Sequence, residues 1–378
     1  MSKHTYYIGM ESSNGYVKST SSVNVGEVDT YLNTLTTIKD PNVYLASQSR
    51  IENLDHKVNR DKSNDVYEII AGVDPKPTYY KVGQRPTTDD IKGFSEEGTS
   101  KYSRKEWIAA NLIAVYRQLE NEDFRGCTIN LVTGLPTNHS VDTELKQDII
   151  NSLTKTYTVN GRNLRISNVS ILPQADSSFF NDLLDFEGKL NEEFLNDVTS
   201  EDEDQQTTIL YYDIGYGTTD VKTVVDFAID PIRKKELAGM EKQFVDMMDV
   251  AIGENALLAD AELLLVEKQL RKHGNLDVDG IKVDIVAERN EILERFAEEI
   301  VDVIEKAPFK KMKINEHRFV GGGAIIMEDY VMKALKNKYV KNKSQIDKYK
   351  FIKGEDENYL QFTNCLGFYK MCVKKYSK

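Results

Sequence analysis

One hairpin pattern occurs twice in this chain. Near the start, the run Thr5-Tyr6-Tyr7-Ile8-Gly9-Met10 leads into Glu11-Ser12-Ser13-Asn14-Gly15 and returns as Tyr16-Val17-Lys18-Ser19-Thr20. In the second half, Ile209-Leu210-Tyr211-Tyr212-Asp213 leads into Ile214-Gly215-Tyr216-Gly217 and returns through Thr218-Thr219-Asp220 to Val221-Lys222-Thr223-Val224-Val225. Short β-branched and aromatic runs around a tight glycine turn read as antiparallel hairpins. Each has an acid ending its first strand and a glycine four positions later. A unit repeated in each half predicts two similar lobes facing a cleft. The alternative is a chance pairing of two common turns.

The rest of the chain fits that frame. Its 378 residues suit two domains of roughly 100–200 residues each. Residues 40–100 are polar and turn-rich, with Pro41, Pro75, Pro77 and Pro86, and read as a small, partly β-structured insertion. From Ser103 the spacing of Trp107, Leu112, Val115, Tyr116 and Leu119 predicts a helix. A strand over 128–133 ends at Gly134-Leu135-Pro136, a helix covers 140–153, and a strand over 169–172 closes at Pro173-Gln174. A helix is expected over 179–186, and the acid-rich stretch 187–204 reads as a solvated loop. Later come a helical stretch over 240–272, turns then a strand over 274–286, and a helix over 288–306. Ile292, Phe296, Ile300, Val303 and Ala307 form the stripe of that last helix. Alternation of strands and helices in both halves indicates an α/β fold.

Composition removes several function classes. Basic residues number 49 and acidic residues 61, a net charge of −12, which repels phosphate backbones and disfavours direct DNA or RNA binding. No apolar run approaches the roughly 20 residues that span a bilayer, and the first residues lack the apolar core of a signal peptide. Cys127, Cys365 and Cys372 form no CxxC or zinc spacing, which fits a reducing cytoplasm and inert packing roles. His4, His56, His139, His273 and His317 are scattered without ligand spacing. Walker-type, GxSxG and HExxH signatures are absent.

Acid-tipped glycine turns suit a polyphosphate. Small residues let backbone N–H groups approach an anion, and hydroxyls add donors. The candidate phosphate-binding residues are Ser12, Ser13, Asn14, Gly15 and Lys18 in the first hairpin, and Gly215, Tyr216, Gly217, Thr218 and Thr219 in the second. A carboxylate beside phosphates requires a divalent cation between them, so Glu11 and Asp213 are the candidates for holding the water shell of Mg²⁺. Gly321-Gly322-Gly323-Ala324, between a strand and a helix from Ile325, would offer N–H groups to an anion or room for a base and ribose. The plainer alternatives are that Asp213 caps a turn, Gln174 is a turn residue, Lys18 is a solvated strand residue and Trp107 is core.

At these residues the sequence resembles the actin and heat-shock chaperone ATPase superfamily. Asp213-Ile214-Gly215-Tyr216-Gly217-Thr218-Thr219-Asp220 matches the second phosphate hairpin, and Phe319-Val320-Gly321-Gly322-Gly323-Ala324 the adenosine turn. Leu131-Val132-Thr133-Gly134-Leu135-Pro136 and Phe362-Thr363-Asn364-Cys365-Leu366-Gly367-Phe368-Tyr369-Lys370 resemble the plasmid-segregation actins of the ParM type. The resemblance spans essentially the whole chain. It implies a two-lobed actin-like ATPase fold with ATP or GTP and Mg²⁺ in the cleft between the lobes. It also implies that Asp213 orients the metal's water shell and the attacking water. Gln174 would be the group that positions that water, and Glu241 and Lys242 would lie where the base or ribose is contacted. The first hairpin departs from the family pattern, with Glu11 in place of Asp and Ser13 in place of Gly.

The expected division is 1–175 with the tail 362–378 as the first lobe. The second lobe would be 176–361, with a smaller subdomain near 230–286. The implied function is a cytoplasmic nucleoside triphosphatase, with Gln174, Asp213 and Glu11 as its catalytic residues. It would polymerise with copies of itself into filaments and segregate plasmid DNA through a DNA-binding adaptor protein. It would itself contact neither nucleic acid nor membrane. Two other classes remain: a sugar or small-molecule kinase of the same superfamily, and a nucleotide-binding scaffold that does not hydrolyse.

Overall fold

A computed structural model of the chain describes residues 4–13, 16–32, 34–38, 66–71, 76–82, 92–93, 102–198, 206–261, 263–310, 312–352 and 359–377. The chain divides into two compact units, Met1–Asn191 with Asn364–Lys378, and Glu192–Thr363. The helix over Ser177–Leu183 therefore lies in the first unit, where the expected division at residue 175 would have put it in the second.

In the first unit the strands are β1 (Thr5–Ser12), β2 (Tyr16–Ser21), β3 (Asp29–Leu32), β4 (Thr34–Ile38), β5 (Val66–Ala71) and β6 (Thr78–Val82). They continue with β7 (Lys92–Gly93), β8 (Thr128–Leu135), β9 (Thr156–Val159), β10 (Arg162–Arg165) and β11 (Asn168–Pro173). One sheet has the order β11-β8-β1-β2-β3, and the other β10-β9-β5-β6-β4-β7. β1 pairs antiparallel with β2 and parallel with β8, and β8 pairs parallel with β11. The helix Lys105–Leu119 buries Trp107, Leu112, Val115 and Leu119 in the core of this unit, each such side chain contributing about 1.5–3 kcal/mol. Trp107 is therefore core. Of the expected insertion over 40–100, only residues 66–71, 76–82 and 92–93, which hold β5, β6 and β7, are described; the rest, with Pro41, Pro75 and Pro86, lies outside the described residues.

The second unit repeats this topology. Its strands are β12 (Thr208–Ile214), β13 (Thr218–Val225), β14 (Ala228–Ala238), β15 (Asn275–Val278), β16 (Ile281–Asp284), β17 (Glu316–Val320) and β18 (Tyr349–Phe351). The main sheet has the order β14-β13-β12-β17-β18, and β15 and β16 form a separate hairpin. β12 pairs antiparallel with β13 and parallel with β17, as β1 does with β2 and β8. The hairpin repeat thus belongs to a repeated five-stranded sheet rather than to chance.

Three local expectations change. The stretch 240–272 is broken into the helices Met240–Glu254 and Leu263–Lys272, because the Asn255 side chain caps a short 3-10 turn over Ala256–Asp260 by accepting from the Leu257 N–H. The expected strand to residue 286 ends at Asp284, and a helix takes Val286–Val301 with Ile285 as its N-cap. The acid-rich stretch contains a helix, Glu192–Val198, where a loop was expected. Phe194 and Val198, one turn apart, are buried. The Arg318 guanidinium lies 4.7 Å from the centre of the Phe194 ring, and Asp197 Oδ2 is 3.0 Å from Lys350 Nζ. Acidic composition concealed a helix whose charges have partners on β17 and β18. Residues 199–205 lie outside the described ones.

Candidate functional site

In an open sheet, parallel strands present their carboxyl ends at one edge, where ligands bind. β1, β8 and β11 end together in the first unit, and Glu11, Thr137 and Gln174 sit at or just beyond those ends. Glu11 is buried. Its neighbour directly across the hairpin is Lys18, whose Nζ donates to Glu11 Oε2 at 2.8 Å. Gln174 Nε2 donates to Glu11 Oε1 at 2.6 Å, and Asn364 Nδ2 reaches the same oxygen at 3.5 Å. Asn364 Oδ1 accepts from Ser177 Oγ at 2.9 Å. Three expected site residues, Glu11, Lys18 and Gln174, thus meet in one buried polar cluster. Asn364 and Ser177 complete it without having been expected. Asn364 stands in the late segment 362–370, but nothing local ties it to a hairpin at the other end of the chain.

Around this cluster several hydroxyls wait for partners. Ser12 Oγ, Thr133 Oγ1 and Thr137 Oγ1 are buried without a hydrogen bond. Ser13 closes the turn, its Oγ donating to Tyr16 O at 2.9 Å. Asn14 and Gly15 lie outside the described residues.

In the second unit, β12 and β17 end at Asp213 and Val320, which are in register, and Gly321 follows. Asp213 is buried at 6% exposure. Gly321 has φ +88°, and a Cβ there would stand 2.5 Å from Asp213 Oδ1 and 2.6 Å from Ile214 O. Only glycine lets the turn lie against the carboxylate. Gly321, Gly322, Gly323 and Ala324 then open the helix Gly322–Lys338, placing its N-terminal dipole end beside Asp213.

The hairpin turn is fastened to a second helix. Gly239 N–H donates to Gly217 O, Met240 N–H to Gly215 O at 3.1 Å, and Glu241 N–H to Tyr216 O at 2.8 Å. A Cβ on Gly239 would collide with the backbone of Tyr216 and Gly217, so this glycine, which no motif marks, permits the docking. Lys242 is exposed and pairs with Asp246 at 2.8 Å, one turn along its own helix. Thr219 Oγ1 is fully buried without a partner, while Thr218 Oγ1 donates to Asp220 Oδ2 at 3.2 Å. A polar cavity of about 500 Å³ opens beside Gly217 and Thr218, bordered by Lys235, Glu299 and Lys306.

The two hairpins share backbone but not charge. Opposite Glu11 stands Lys18, whereas opposite Asp213 stands Asp220. Burial, then the nearby Glu236 carboxylate, raises the Asp220 pKa above the usual carboxylate range. Among the described residues no three His, Cys, Asp or Glu side chains converge on one metal position. A metal served by this chain would take most of its ligands from water and phosphate, as Mg²⁺ does. Buried partnerless hydroxyls at both hairpins and the glycine turn beside Asp213 fit a polyphosphate. Among the described residues no helix is long and apolar enough to cross a membrane.

Residues 211–333 match the family model of the archaeal actin homologue MreB-like, C-terminal. No curated protein matches the sequence. Among solved structures, a 15-stranded ParM filament from Clostridium botulinum is similar at 16% identity, covering 99% of this chain and 100% of that one, with a TM-score of 0.70. A non-polymerisable quadruple mutant of pCBH ParM is similar at 16% identity over 97% of this chain and 99% of that one, TM-score 0.69. Ta0583, an archaeal actin homologue in complex with ADP, is similar at 14% identity over 97% and 99%, TM-score 0.66. The chain has the actin-like α/β fold, and the resemblance to ParM-type actins read from its motifs holds at the level of fold.

Proposed function

We propose that this chain is a nucleotide-hydrolysing cytomotive protein of the cytoplasm. It binds ATP or GTP with Mg²⁺, polymerises into filaments and moves plasmid DNA through a DNA-binding adaptor. The observation that carries this is Asp213, a buried carboxylate at a parallel-strand end, with a glycine turn and a helix N-terminus laid against it. The actin-like fold over 97% of the chain supports it further. So do a ParM neighbour solved as a filament and an archaeal neighbour solved with ADP.

The residues divide the work. The partnerless hydroxyls of Ser12 and Thr219 and the Lys18 ammonium donate to phosphate oxygens, Ser13 and Thr218 shape the two turns and join them once they release Tyr16 O and Asp220, and the Gly321–Ala324 turn takes the adenosine or guanosine side. Glu241 flanks the base or ribose, with Lys242 available once it releases Asp246. Asp213 and Glu11 hold the water shell of the cation, and Gln174 orients the attacking water. Neutralising charge on the β- and γ-phosphates is what Mg²⁺ supplies when bound. The net charge of −12 favours reaching DNA through a basic adaptor.

The test is to add ATP or GTP with Mg²⁺ and follow light scattering, pelleting and phosphate release together. Assembly with free phosphate as product is expected. Assembly with no phosphate release would indicate a scaffold. Phosphate appearing on an acceptor would indicate a kinase. No assembly with either nucleotide over a wide protein concentration range would discard the filament function.

A further inference from the structure

We propose that Glu11 and Asn364 are positioning residues for Gln174, fixing which end of its amide faces the hydrolytic water. This rests on the hydrolytic function proposed above. An ionised carboxylate only accepts hydrogen bonds. The Gln174 atom 2.6 Å from Glu11 Oε1 is therefore the amide nitrogen, and its carbonyl oxygen is turned away from the cluster. The proposal sets that oxygen against the water, on a side chain that is half-buried where Glu11 is buried. An amide is too weak a base to take the proton, and it contributes by accepting from the attacking water and holding it in line. With the amide reversed, the same position would present N–H donors and misalign the water.

Three side chains hold Glu11 in the orientation this needs. Lys18 engages Oε2 at 2.8 Å, which leaves Oε1 for Gln174. Asn364 Nδ2 approaches Oε1 at 3.5 Å, and Asn364 is itself held by the Ser177 hydroxyl at 2.9 Å. Asn364 is 3% exposed and Ser177 fully buried, so neither touches the water. Asn364 acts through Glu11, whereas the Ser177 hydroxyl also lies against the Gln174 backbone carbonyl and so braces both ends of the cluster. The extra methylene of glutamate now has a use. Aspartate at position 11 would sit about 1.5 Å further back, one C–C bond, and would lose either Gln174 or Lys18. The substitution that sets this hairpin apart from the family pattern is what links it to Gln174.

The experiment is a double-mutant cycle between Asn364→Ala and Gln174→Ala, with nucleotide affinity and single-turnover phosphate release measured separately for all four proteins. Expected is a fall in release rate on the order of tenfold for Asn364→Ala, with nucleotide affinity unchanged within about twofold. In the Gln174→Ala background the Asn364→Ala effect on rate should vanish. Glu11→Gln should slow release similarly, because its amide can donate as well as accept and no longer selects one orientation of Gln174. Should Asn364→Ala not fold, Asn364→Leu, which keeps the volume and removes the amide, replaces it in the same cycle. Additive losses, or losses confined to affinity, overturn the positioning role and leave hydrolysis standing. No phosphate release by the unaltered protein overturns both.

Discussion

Lys18 Nζ lies 2.8 Å from Glu11 Oε2, with the two side chains only 9% and 5% exposed. They face each other across the first hairpin. The equivalent place in the second hairpin holds Asp220, so one fold element repeated twice carries opposite charge logic.

Breaking that pair should be costly. Lys18→Met leaves a buried carboxylate without its counter-ion and should destabilise the protein by about 3–5 kcal/mol, whereas Lys18→Met with Glu11→Gln should recover most of the loss. Urea denaturation of the two variants checks this. Equal losses would mean that the ion pair is not what Lys18 contributes.

Gly321→Ala puts a Cβ against Asp213 Oδ1 and a side chain at φ +88°. A loss of about 1–3 kcal/mol in stability is expected from the backbone conformation alone. Binding of a fluorescent nucleotide analogue should weaken with it. Unchanged melting and unchanged binding would show that the turn can move aside.

Asp213→Ala should reduce phosphate release by on the order of a hundredfold while filaments still form with nucleotide. Pelleting and phosphate assays on one sample separate the two. Proportional loss of both would assign Asp213 to the fold or to nucleotide affinity.

His317 provides a pH signature. Its ring stacks on Tyr349 at 4.0 Å between centres, and its Nδ1 is 2.9 Å from Tyr212 OH. Burial, helped by the Lys348 charge, holds its pKa down to about 3. The unfolded chain binds this proton near 6.5, so folding favours the neutral ring. The stability it contributes is complete above about 6.5 and is lost as pH falls from there towards 3. His317→Phe should lower stability at neutral pH by about 1–3 kcal/mol, since Tyr212 loses a partner, yet flatten the decline between pH 7 and 5. Parallel denaturation curves for both proteins across that range would rule out His317 as the source.

Much of the local structure was legible because it depends on neighbouring residues. The alternating strands around Glu11 and Asp213, the stripe over Ile292, Phe296 and Ile300, and the glycine turn at Gly321 are all short-range patterns. The Glu192–Val198 helix was not legible, because its acidic surface looks like a loop until Arg318 and Lys350 stand beside it. Gly239 carries no local signal, because its need for no side chain comes from Tyr216 and Gly217 pressed against it.

Sequence alone determined the repeated acid-tipped hairpins, the α/β alternation and the residue types able to meet a polyphosphate, since each is encoded within a few positions. Tertiary structure decided that Gln174 and Asn364, 163 and 353 residues from Glu11, converge on one carboxylate. It also decided that Lys18 neutralises that carboxylate while Asp220 stands opposite Asp213. Sheet order brings Gln174, beyond the end of β11, to the end of β1, the C-terminal helix Tyr359–Tyr376 brings Asn364 by packing on β1 at Gly9, and hairpin register sets what faces each acid; the long-range meetings leave no trace in spacing along the chain.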